Sequence, residues 1–172
     1  MEQSEASLLI ANADKQDHDG RTERLVELTE LLPDNGMIGF SGNAAQWLFE
    51  DVKATWLYGC FASTVLTAYA FCSLQIAGAV RMLADVPRLP DEAESLEQLA
   101  AIAVEAGALD VERQARLLEL HDRYRLYAFA HLHEYEARLE RHMVEVAIIG
   151  TEHHLLSDAR LALVTSVSLV YR

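Results

Sequence analysis

Arg125 and His131 are the residues of this chain whose types and spacing best suit chemistry. The five residues LYAFA separate them. A guanidinium clamps a phosphate with a planar fork of donors. An imidazole titrates near neutrality and moves a proton in either direction. Together they suit RNA cleavage: His131 draws a proton from a 2′-hydroxyl or returns one to the leaving oxygen, and Arg125 steadies the charged phosphate. The competing role for such a pair is structural, with Arg125 in a surface ion pair and His131 as a cap or partly buried polar group.

Two further groups of side chains carry chemical potential. His121, His131, His133, His142, His153 and His154 lie near Glu134 and Glu136. Metal ligands on helices recur three or four residues apart on one face; His131 with Glu134 meets that spacing, and His121, His133 and His142 do not extend it cleanly. No pair of Glu-x-x-His motifs occurs, so a dimetal site is not expected, nor any other metal or cofactor. Arg113, Arg116, Arg123, Arg125, Arg138 and Arg141 alternate with acidic residues. Pairs such as Glu119–Arg123 and Glu134–Arg138 are four apart, as solvated ion pairs on a helix require. There is no glycine-rich phosphate loop, no cysteine-based zinc pattern and no nucleophile elbow.

These side chains need helices to position them. Ala, Leu, Glu and Arg dominate, and the prolines are Pro33, Pro87 and Pro90 alone, a helix-favouring composition. The 172 residues suffice for one domain with a real core. Between Lys53 and Arg81 no Asp, Glu, Lys or Arg occurs in 27 residues. That length could span a bilayer. Thr55, Tyr58, Ser63, Thr64, Thr67, Tyr69, Ser73 and Gln75 interrupt it, and its flanks mix signs, which favours the buried centre of a helical domain over a membrane span.

The expected path is a loosely ordered arm over residues 1–20, then a single helical domain over 21–172. Its first helix runs from about Thr22 to Leu32 and closes at the turn Pro33-Asp34-Asn35-Gly36. A long uncharged central helix runs from about Asn43 to before Pro87, with a break near Asp51. Ser95 and Gln98 make a capping box, Gly107 ends that helix and Asp110 caps the next. Another helical stretch covers about 133–149, Gly150 breaks it, and Thr151 caps the last helix. The result is an all-α bundle of five to six helices. Cys60 and Cys72, roughly 18 Å apart along one helix, cannot pair there. Reduced thiols and the lack of a basic leader before an apolar run fit a cytoplasmic protein. The net charge of −13 opposes broad electrostatic binding of nucleic acid.

Segments in a fixed order resemble HEPN-type proteins (higher eukaryotes and prokaryotes nucleotide-binding). DVKATWLYGCFASTVLTAYAFCSLQIAGAVRML is similar to the long core helix of that family, and SLEQLAAIAVEAGALD to the helix that follows. LLELHDRYRLYAFAHL lies where the family carries an Arg, four to six residues, then His. LLSDARLALVTSVSLVYR resembles the closing helix, which opens on an Asp-Ala pair, here Asp158 and Ala159. The likeness spans about Asp51 to Arg172. It implies a HEPN-like homodimer with the motif at the interface, and a metal-independent endoribonuclease of a toxin-antitoxin or phage-defence type acting on RNA. The motif falls on Arg125 and His131, with Arg123 the second choice of arginine. Active members place a polar residue, often Asn, after the Arg, where this chain has Leu126; Gln75 stands nearest the glutamate of their core helix. The alternative is a catalytically inactive dimerising or regulatory module with a protein partner.

Overall fold

In the computed structural model the described residues are 2–32, 39–82, 96–132, 134, 136–138, 140–143 and 154–171, with side chains from Asp17 onward. They form α-helices joined by turns, so the architecture is all-α. The helices are α1 (Glu2–Leu31), α2 (Asn43–Leu57), α3 (Phe61–Met82), α4 (Leu96–Glu105), α5 (Val111–Ala128), α6 (the helical residues of 134–143) and α7 (His154–Val170). The turn at Pro33–Gly36, the cap at Ser95, the connector Pro87–Pro90 and the break at Gly150–Thr151 lie outside the described residues.

The sequence reading began the first helix near Thr22, whereas α1 starts at Glu2. Polarity does not oppose helix when no proline intervenes, and the exposed pair Arg21–Asp17, 2.5 Å apart, lies at the helical i,i+4 spacing. Reciprocal bonds dock α1 on α2: Trp56 Nε1 donates to the Arg24 carbonyl at 3.1 Å, and Arg24 Nε donates to the Leu57 carbonyl at 3.1 Å.

The uncharged stretch is two helices, with the break at Gly59 rather than near Asp51. Gly59 has φ +70, a conformation that costs other residues dearly. Its N–H bonds the Trp56 carbonyl at 3.0 Å and the Cys60 N–H bonds the Thr55 carbonyl at 2.8 Å. This crossed pair is a Schellman ending, which satisfies carbonyls that the helix leaves open. Cys60 therefore sits exposed in a turn, while Cys72 is buried in α3; both are free thiols. Burial pushes the Cys72 thiol up to about 12.

α3 is the centre of the bundle and packs on α2, α4, α5 and α7. By length and composition it could cross a membrane, yet its Val65, Ala68, Phe71, Cys72, Ile76 and Val80 are buried against those neighbours. Phe71 meets Phe49 of α2, ring centroids 5.3 Å apart, and Phe49 meets Phe40 at 5.7 Å. Burying each such side chain contributes about 1.5–3 kcal/mol. Gln75 joins three elements: its amide donates to the carbonyls of Gly39 at 2.7 Å and Leu169 at 3.4 Å and accepts the Ser41 N–H at 2.9 Å. Gln75 is thus a structural amide.

Gly107, also at φ +70, ends α4 with the same crossed bonds, from Gly107 N–H to Val104 at 3.0 Å and Ala108 N–H to Ala103 at 2.8 Å. Asp110 then caps α5 by accepting the Arg113 N–H at 2.8 Å. Both follow the sequence reading. They set where α5 begins, and hence where its far end carries the candidate residues.

Candidate functional site

α5 buries Leu117, Leu120 and His121 on one face and Leu126 on the other, and its arginines are part-buried. Its last turn holds Arg125, a cation at the negative end of the helix dipole. Phe129 closes it, its N–H donating to the Arg125 carbonyl at 3.1 Å. The Leu132 N–H then bonds the Phe129 carbonyl at 2.9 Å, so the chain continues in a second turn that carries His131. His131 is exposed, as are Phe129 and Leu132 beside it. Arg125 stands before the cap at Phe129 and His131 just after it. Arg125 and His131 thus occupy one end of α5.

The charge of Arg125 acts on an aromatic group between α3 and α5. Tyr124 stacks on Tyr69 of α3 with centroids 3.6 Å apart, and His121 lies 5.8 Å from Tyr69. The Tyr69 hydroxyl accepts the Leu96 N–H at 3.3 Å, tying α4 to this stack. Burial raises the Tyr69 phenol. Burial, then the charge of Arg125, holds His121 below its ordinary value, against weaker pulls from Glu97 and Asp122. His121 is 9 % exposed, and among the described residues its Nδ1 has no hydrogen-bond partner.

The side chains that meet most closely are ones the sequence reading did not join. Asp158, 3 % exposed at the start of α7, accepts from the Tyr127 hydroxyl and from His142 Nε2, the latter at 2.9 Å. Arg123 Nε stands 3.2 Å from the same carboxylate, a close ion pair although its N–H is not aligned as a hydrogen bond. Arg123 Nη1 lies 3.3 Å from His142 Nδ1. A guanidinium can only donate, so Nδ1 accepts and Nε2 carries the proton given to Asp158. The carboxylate and burial raise the Tyr127 phenol, burial being the larger cause. This closed network clamps α5, α6 and α7 together. A buried carboxylate without such partners would be strongly disfavoured.

Arg123, the second choice for the motif, is therefore engaged with Asp158 and Glu119. Of the other histidines, His121 and His142 are buried apart, and His133 and His153 lie outside the described residues. Among the described residues no three His, Cys, Asp or Glu side chains come together as a metal site. Asp158 had a signal in the sequence: it shares a helical face with Ala162, Thr165 and Ser166, all buried, so a carboxylate there needs partners.

Comparison of the chain with protein-family models, with curated proteins and with solved structures finds no match.

Proposed function

We propose that this chain is a HEPN-like helical module that cleaves RNA without a metal, as a homodimer bringing two copies of Arg125 and His131 together. The observation that carries this reading is the placement of Arg125 and exposed His131 on consecutive turns at one end of α5, while Arg123 is drawn into the Asp158 network. In the reaction the 2′-oxygen attacks phosphorus and the bond to the 5′-oxygen breaks. His131 takes the 2′-hydroxyl proton, or the second copy's His131 supplies one to the leaving oxygen. Arg125 neutralises charge that builds on the phosphoryl oxygens.

A second reading has one observation in its favour. Leu126, where active HEPN proteins place a polar residue, is a buried apolar side chain, 4 % exposed. On that reading the bundle is an inactive dimerising module with a protein partner.

Incubating the purified chain with a pool of labelled RNAs and EDTA, beside His131→Ala, separates the two. The ribonuclease reading expects cleavage by the wild type alone. Cleavage by both proteins would remove His131 from the site. No cleavage by either would leave the inactive module.

A further inference from the structure

A cavity of about 470 Å³ lies at the opposite end of α5 from His131, between α3, α4, α7 and the residues before α2. This volume is within the range of small-molecule sites. Phe40, Ile76, Ala79, Ala103, Leu109 and Met82 supply apolar walls. Half-buried Ala79 and Ala108 leave space there, since larger side chains at those positions would fill it. The polar groups in the wall are few. The Gln75 amide is occupied by backbone on both sides, donating to Gly39 and Leu169 and accepting from Ser41. Arg113 is different. Its guanidinium reaches the Tyr171 carbonyl only at 3.4 Å, and its Nε lies 3.5 Å from Asp110 Oδ2 in a part-exposed ion pair, while Asp110 Oδ1 accepts the α5 backbone. Both contacts are long for strong hydrogen bonds. An anion entering the cavity offers the planar fork shorter, charge-assisted bonds than either.

We propose that this cavity binds an amphipathic monocarboxylate, its hydrocarbon body on the α3–α4 wall and its carboxylate on Arg113. The pairing is one of charge and polarity: among the described residues Arg113 is the one charged side chain of a lining whose Gln75 and Ser41 groups are already bonded, so an apolar body with one anionic end suits it. Met82, at the exposed end of α3, adapts to the length of the chain. The site is separate from Arg125 and His131, so it stands or falls without the ribonuclease reading.

The test is calorimetric titration of the full chain with sodium decanoate below its micelle concentration, with decanol as the uncharged twin. One decanoate per chain is expected. Arg113→Met should weaken decanoate about tenfold and leave decanol unchanged, because only the carboxylate meets the fork. Ala79→Leu should abolish binding of both while keeping the unfolding temperature, since its side chain fills an apolar space. Ala108→Leu, at the turn between α4 and α5 and half-buried, repeats that test if Ala79→Leu unfolds. No binding by the wild type overturns the proposal. So does equal loss of both ligands in Arg113→Met, or undiminished binding in the filled variants.

Discussion

Truncating Asp158 to Ala removes the one acceptor shared by Tyr127, His142 and Arg123. The aspartate is 3 % exposed, so water cannot replace it without opening the bundle. The variant leaves a guanidinium, an imidazole N–H and a phenol facing a gap. Removing one partner of a buried ion pair costs about 3–5 kcal/mol. In a domain of this size each kcal/mol lowers Tm by about 2–4 °C, so a loss of 4 kcal/mol lowers it by roughly 8–16 °C. Tyr127→Phe loses only one charged hydrogen bond, about 1.5–3 kcal/mol. Made together, the two changes should cost less than their sum, because the phenol has no acceptor left once Asp158 is gone. Urea unfolding followed by far-UV circular dichroism measures all three. The surface pair Arg160–Glu27, 2.6 Å apart but partly exposed on both sides, is the control, and Glu27→Ala should cost at most about 1 kcal/mol. If Asp158→Ala costs no more than that control, the network does not clamp the helices and the reasoning fails.

Other consequences follow from single positions. A Cβ at Gly78 would stand 2.1 Å from Ser41 Cβ and 3.3 Å from its Cα. Gly78→Ala should therefore lose about 1–3 kcal/mol in urea unfolding despite alanine's better helix propensity. Gly59→Ala forces a side chain into φ +70 and should cost about 1–2 kcal/mol, seen as a lower Tm. The buried His121 has its folded-state value lowered, so the unfolded chain binds a proton first as pH falls. Its contribution to stability is whole above its ordinary value of 6.5 and is lost as pH falls below it. His121→Phe should make stability less steep between pH 7 and 5 than in the wild type, measured by urea midpoints across that range.

The caps show where local sequence is enough. Asp110 and Gly107 act as read, because a cap depends on the residue itself and its immediate neighbours. Gly59 obeys the same rule, yet it lies inside an uncharged run whose continuity suggested one helix. Nothing in hydropathy distinguishes a glycine that ends a helix from one buried within it, as Gly78 in α3 shows.

By itself, then, the sequence determined that this chain is helical, that its uncharged stretch forms the buried centre, and where α5 begins. Those properties follow from composition, periodicity and capping, which act over a few residues. It also placed Arg125 and His131 near one end of a helix, since their separation along the chain is short. Only the tertiary structure decided that Arg123 belongs to Asp158 and that Tyr127 and His142 meet the same carboxylate. Asp158 lies 31 residues from Tyr127 and 16 from His142, and α7 must return against α5 before they touch. The cavity beside Arg113 has the same origin. It is the space left between helices by small side chains, and it exists only once α3, α4 and α7 have packed.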